Sequence, residues 1–272
     1  MCAQEASQKK VKRMFIVLIG TAGSGKSTLA SYLKATIEAS GNVVASLNFD
    51  PAAESLPYEA DIDIRDYIKI EDFMARGYGP NGSVIAAVDS IINYANKVRE
   101  EIYSYRPDFV IIDTPGQLEL FAYRIGGPIV LESIVEDEKA VVVFLMDSIF
   151  FDNPADMVSI LTLASSVNTR LKRPQINVIS KSDLIIREVL ENVIPMIHEE
   201  GYLESMLRES NDIDPQVLGL SISLAKALYE SGYFGEIIPV SIYDEVTIKN
   251  LYGKIQEVLS QGEDKKIYDT YA

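Results

Sequence analysis

The sequence predicts an α/β fold, three layers deep (α/β/α), on a mainly parallel sheet with helical insertions. Three observations carry that prediction. Six short runs rich in Val and Ile, at 15–19, 43–47, 109–112, 140–146, 176–179 and 237–242, lack clean apolar–polar alternation. Strands buried on both faces read this way. Apolar residues at helical spacing lie between the runs, and a glycine-rich stretch joins the first run to the first such stripe. Strand and helix therefore alternate, as in parallel sheets whose crossover helices cover both faces.

Taken in order, the first run leads to the stripe Leu29, Leu33 and Ile37. Val84, Val88, Ile91, Ala95, Val98 and Ile102 form one long stripe before the third run, and Ile160, Leu163, Val167 and Leu171 precede the fifth. The interval 51–107 is long for a crossover and is read as an insertion within the domain. A helical elaboration is expected at about 199–235, with patches around 203–207 and 218–228. Residues 1–13 and 261–272 are polar tails on a single domain spanning 14–260.

At 272 residues and 47% apolar, the chain can bury a large core. A net charge of −15 and a pI near 4.6 repel phosphate backbones, which disfavours direct nucleic-acid binding. The single cysteine, Cys2, can form no internal disulfide and suits a reducing cytoplasm. Lys9, Lys10, Lys12 and Arg13 precede an apolar run, but that run is too short for a signal peptide and ends in Gly-rich sequence. No stretch is long enough to cross a bilayer, so the chain reads as soluble and cytoplasmic.

Gly20-Thr21-Ala22-Gly23-Ser24-Gly25-Lys26-Ser27, followed by Thr28, has the eight-residue Walker A pattern between a strand and a helix. Glycines let the backbone curl so that N–H groups from Gly23 to Thr28 point at phosphate oxygens beside a positive helix N-terminus. Lys26 would reach the β- and γ-phosphates, and the Ser27 hydroxyl would bind Mg²⁺. The bland alternative is a Gly/Ser turn before a capped helix. After the run at 109–112 comes Asp113-Thr114-Pro115-Gly116-Gln117, at the ligand-binding edge of such a sheet. Asp113 could hold Mg²⁺ through a water, and the Gly116 N–H could sense the γ-phosphate.

Ser180-Lys181-Ser182-Asp183 follows the run at 176–179. The Asp183 carboxylate can accept two hydrogen bonds from guanine, which adenine does not offer in that arrangement, so the site would select GTP. The Lys181 stem could lie along the base, and Ser241 is placed to complete the pocket. The usual GTPase pattern begins with Asn; Ser180 removes one supporting amide.

With these residues in hand, the sequence resembles the GPN-loop GTPases over nearly all of residues 14–260. The resemblance rests on Gly79-Pro80-Asn81, the phosphate loop at 20–28, Asn48-Phe49-Asp50-Pro51-Ala52, Asp113 to Glu119, and Asn177 to Asp183 with its Ser180. Thr21 stands where Pro is more often found. Read locally, 79–83 is a turn into the long helix with Ser83 as N-cap. The resemblance implies more: a homodimer with a nucleotide-facing interface, in which Asn81 approaches the partner's γ-phosphate. It also implies that Asp50 orients water, attacking or Mg²⁺-bound, with Gln117 and Glu119 completing that network; GTP and GDP would be substrate and product. Eukaryotic relatives point weakly to a protein client in RNA polymerase assembly.

Rival readings are a P-loop kinase, a dimerising partition-type ATPase (disfavoured because Thr21 and Ala22 supply no early Lys), and a nucleotide-gated scaffold with negligible turnover. His198 has no second His or Cys for a metal site. Arg65, Arg76, Arg124 and Arg173 are undistinguished as transition-state fingers, and Gly126-Gly127-Pro128 is a hinge or a break between helices.

Overall fold

Each of the six apolar runs forms a strand, and their near-complete burial is what the absence of alternation implies. The structure, a computed structural model, describes residues 13–210, 213–232 and 237–268; the leader through residue 12, with Cys2, and the last four residues lie outside the described residues. The strands are β1 (Met14–Gly20), β2 (Val44–Asn48), β3 (Ile62–Asp63), β4 (Phe109–Asp113), β5 (Lys139–Asp147), β6 (Gln175–Ser180) and β7 (Ile237–Val240). All pairs are parallel, in the order β3-β2-β4-β1-β5-β6-β7. Pro239 sits on the edge strand β7, where its missing N–H costs no ladder bond.

Alternate residues of β1 enter two cores. Ile16 and Leu18 pack under α1 (Lys26–Ala39) and α10 (Glu245–Tyr268), against Leu29, Leu33, Leu251 and Ile255. Phe15, Val17 and Ile19 face the larger core. That core is covered by α2 (Ile70–Ala75), α3 (Pro80–Ser90), α4 (Ala95–Tyr105), α5 (Gly126–Val135), α6 (Pro154–Leu171), α7 (Arg187–His198), α8 (Tyr202–Glu209) and α9 (Pro215–Glu230). The helix α10 continues through residues 261–268, a stretch the sequence presents as a polar tail. His198 ends the helix Arg187–His198, and its side chain lies outside the described residues.

The interval 51–107 differs from its sequence reading in three ways. It contributes β3, a two-residue edge strand too short to leave a pattern. The long stripe is not one helix: a 3-10 segment, Ile91–Tyr94, separates α3 from α4. The break spans about one turn, so Val88, Ile91, Ala95, Val98 and Ile102 all remain on the core. Ser83 is not the N-cap. The helix begins at Pro80, whose fixed φ suits the first helical position, with Gly79 as N-cap; Ser83 is buried inside, its amide donating to the Gly79 carbonyl at 2.8 Å.

Beyond β4 the chain makes a π-helical turn, Glu119–Tyr123, then an extended residue, Arg124, before α5. The Gly126-Gly127-Pro128 sequence thus lies in the first turn of α5, just past that break. A Cβ on Gly127 would clash with the Phe121 carbonyl oxygen. Gly127→Ala is therefore expected to destabilise the fold by about 1–3 kcal/mol through overpacking, read as a lower melting temperature. An unchanged melting temperature would mean the π-helical turn relaxes freely.

Candidate active site

β1 lies between β4 and β5, so the chain leaves its carboxyl end at a switch in strand order, where open α/β sheets bind ligands. The loop that leaves it holds Gly23 at φ 75° and Gly25 at φ 88°, left-handed conformations that cost glycine least. Gly20 is constrained by space: a Cβ there would meet the Leu145 carbonyl oxygen at 2.5 Å and Ser24 Oγ at 2.8 Å. Lys26 is buried at the start of α1, and its ammonium donates to the carbonyls of Gly20 (3.1 Å) and Thr21 (2.9 Å). Burial lowers its pKa, opposed by the negative charges of Asp113 and Asp50.

Asp113 closes β4 beside this loop. Its Oδ2 accepts from the Tyr58 hydroxyl at 3.1 Å, and Ser27 is also hydrogen-bonded to the carboxylate. Burial pushes its pKa up to about 6, against those two hydrogen bonds and the Lys26 charge. Asp113 Oδ1 and Ser24 Oγ are buried with no hydrogen-bond partner among the described residues. A hydroxyl, an adjacent carboxylate and an orphaned acceptor suit a hydrated Mg²⁺ that completes its shell with phosphate oxygens. Among the described residues no cluster of three or more His, Cys, Asp or Glu could hold a metal alone.

Asp50 follows β2 and is fixed through its backbone. Asn48 Oδ1 accepts from the Asp50 amide at 3.0 Å, and Asn48 Nδ2 donates to the Asp50 carbonyl at 3.2 Å. Asn48 also donates to Asp63 Oδ1, and Asp63 grips Arg65, whose guanidinium reaches the Ala53 carbonyl at 2.8 Å. The Asp50 side chain accepts from the amides of Ala52 and Gly116, both at 2.9 Å. In this conformation, then, the Gly116 N–H is committed to Asp50. Gln117 and Glu119 are exposed, and neither side chain hydrogen-bonds Asp50 or Asp113 among the described residues.

The opposite end of the site is a cavity of about 280 Å³ lined by Ser24, Gly25, Thr28, Ser180, Lys181 and Asp183, together with Leu184 and Tyr243. Asp183 Oδ1 accepts from Ser241 Oγ at 2.6 Å, which fixes the carboxylate plane and leaves its other oxygen open. Lys181, at φ 55°, lays its stem along the cavity while its ammonium pairs with Asp147 at 2.6 Å. Ser180 lines the cavity wall while its hydroxyl donates to the Met146 carbonyl at 3.1 Å, which ties β6 to β5. Residues of the phosphate loop and the Asp183 carboxylate thus line one and the same cavity.

A family model described as "Conserved hypothetical ATP binding protein" matches residues 18–261. The GPN-loop GTPase PAB0955 of Pyrococcus abyssi is 32% identical over 209 residues, covering 76% of this chain and 81% of that protein. The chain belongs to the GPN-loop GTPase family. Another member, GPN-loop GTPase 3 of Kluyveromyces lactis, is 27% identical and covers 93% of this chain and 94% of its own length. The crystal structure of PAB0955, titled a GTPase in apo form, superposes with a TM-score of 0.79 at 28% identity, over 91% of this chain and 98% of that one.

The tripeptide that gives the family its name stands apart from the cavity just described. Gly79, Pro80 and Asn81 are all exposed, and the Asn81 side chain makes no hydrogen bond among the described residues. Of the four candidate arginines, Arg65 is held by Asp63, Arg124 by Asp89 and Arg173 by Glu132, while Arg76 lies over the Phe73 ring. Tyr58, Asp147, Leu184 and Tyr243 escape sequence reasoning. Leu184, which directly follows Asp183, and Tyr243, two residues past Ser241, sit close enough to recognised positions to have been found.

Proposed function

We propose that this member of the GPN-loop GTPases is a Mg²⁺-dependent GTP hydrolase that works as a homodimer, each subunit's Asn81 turned toward the partner's phosphates. The observation that carries the nucleotide assignment is the Asp183 carboxylate, fixed by Ser241 at the far end of a cavity that begins at the phosphate loop. Guanine offers its ring N–H and exocyclic amine on one edge, and a carboxylate with a free oxygen accepts both. Adenine offers no such pair of donors, so binding it would desolvate the carboxylate without pairing it, a costly mismatch. The base contact thus favours GTP, although the matching family model is described by ATP.

Lys26 and the amides of Gly23 to Thr28 would neutralise and orient the β- and γ-phosphates. Mg²⁺, held by Ser27 and through water by Asp113, would add Lewis-acid charge neutralisation on the same oxygens. Asp50 would position the attacking water, with Gln117 and Glu119 drawn in. For the Gly116 N–H to meet the γ-phosphate it must leave Asp50, so one movement frees a donor for the phosphate and an acceptor for water. Hydrolysis competence would then be coupled to the occupied state.

The dimer reading is supported by the exposed, unpaired amide of Asn81 on a helix start rigidified by Pro80. Asn81→Ala is expected to slow phosphate release from GTP by about 10²-fold while leaving guanine-nucleotide affinity within about threefold. Turnover and nucleotide titration, measured beside sedimentation with and without a GTP analogue, check this. A wild-type rate in Asn81→Ala, or a monomer in every nucleotide state, sinks the trans-acting role. Phosphate appearing on a second substrate instead of in solution would favour a kinase. Among the described residues no helix is long and apolar enough to cross a membrane. A cytoplasmic setting and a protein client, of the RNA polymerase assembly kind, complete the reading.

A further inference from the structure

We propose that Tyr58 is a positioning residue for the metal-side carboxylate, clamping one oxygen of Asp113 so that the other is presented to the hydration shell of the bound cation. This rests on the Mg²⁺ reading above. Asp113 is 2% exposed, and its two oxygens are in unlike situations. Oδ2 accepts from the Tyr58 hydroxyl at 3.1 Å, whereas Oδ1 is buried without a hydrogen-bond partner among the described residues. Rotation about the last side-chain bond of an aspartate is soft and nearly two-fold, so an unclamped carboxylate would not keep one oxygen aimed. The Tyr58 hydroxyl, a directional donor on one oxygen beside the Ser27 contact, restricts that freedom.

The clamp is built into the fold. The Tyr58 ring packs, partly buried, against the core beneath α1. The segment carrying it is tied down on both sides. Upstream, Arg65 holds the Ala53 carbonyl at 2.8 Å. Downstream, Asp61 accepts from the Ser46 amide at 2.7 Å and pairs with Lys34. The phenol is thus delivered from the loop that begins at Asp50, the residue assigned to the water, and it bridges that loop to the end of β4. Tyr58 needs no contact with nucleotide: its effect passes through Asp113, an outer-shell role that commonly tunes metal affinity by one to two orders of magnitude.

Tyr58→Phe keeps the packing ring and deletes only the donor. We expect the Mg²⁺ concentration at half-maximal tightening of a fluorescent GDP analogue to rise about tenfold. Analogue affinity in EDTA should stay within about twofold, since the nucleotide contacts are untouched. An unchanged Mg²⁺ midpoint overturns the proposal, as does an equal loss of affinity with and without Mg²⁺, which would indicate general loosening. Asp113→Asn and the double variant separate the two readings. If Asp113→Asn leaves the midpoint unmoved, the metal assignment itself fails. If it shifts the midpoint and Tyr58→Phe adds the same increment in both backgrounds, Tyr58 does not act through Asp113. The expected result is that Tyr58→Phe adds little once Asp113 is Asn.

Discussion

Lys26→Ala is expected to lower single-turnover GTP hydrolysis by about 10³-fold with the fold retained. The Lys26 ammonium is buried and held by two backbone carbonyls, those of Gly20 and Thr21. Burial lowers the lysine's pKa, and the negative charges of Asp113 and Asp50 oppose the shift, favouring the cation where burial alone disfavours it. Phosphate oxygens are stronger partners than neutral carbonyls, and the charge-assisted bonds form without first stripping water from the ammonium. Alanine removes that preorganised charge where negative charge develops. Lys26→Arg is not expected to restore the rate, because a planar fork cannot replace a compact ammonium threaded between two carbonyls. Single-turnover hydrolysis with enzyme in excess, beside a thermal melt, makes the measurement. A rate within tenfold of wild type would mean the loop does not act through this charge.

What the sequence made legible, and what it hid, divides along physical lines. The large strands showed because burial on both faces leaves a contiguous apolar run, as in 140–146. β3 did not, since two residues carry no period. The stripe 84–102 correctly marked a buried face but could not register a 3-10 interruption that keeps the same face inward. Ser83 looked like a cap because hydroxyls commonly cap helices; Pro80 competed better by fixing the first helical φ. In the site, the phosphate loop is contiguous and therefore readable. Asp183 and Ser241 each end a strand, so their meeting at 2.6 Å follows from β6 and β7 being neighbours. Tyr58 and Asp147 act only through contacts made across 55 and 34 residues, with Asp113 and Lys181 respectively, and leave no local signature. The same holds for the Gly116–Asp50 bond, which ties the two loops across 66 residues.

Asp183→Asn is expected to lower GTP affinity by about 10²–10³-fold and to create a preference for xanthosine triphosphate. Guanine presents two donors to this position, and the aspartate accepts both with a full negative charge, each such bond being worth about 1.5–3 kcal/mol. Asparagine keeps one acceptor but turns a donor toward the exocyclic amine, so one bond is lost and a donor–donor clash replaces it. Xanthine carries a carbonyl at that carbon and restores the match: its ring N–H donates to the amide oxygen, and its carbonyl accepts from the amide nitrogen. Ser241 helps to hold this geometry, since its hydroxyl can donate to an amide oxygen as it does to the carboxylate now. Competition titrations with GTP, ATP and xanthosine triphosphate read the outcome. The reciprocal exchange is the informative part, because a general loss of fold would weaken all three nucleotides together. If Asp183→Asn binds GTP as the wild type does, or gains nothing for xanthosine triphosphate, the base lies elsewhere and the cavity beside Lys181 and Tyr243 serves another part of the ligand.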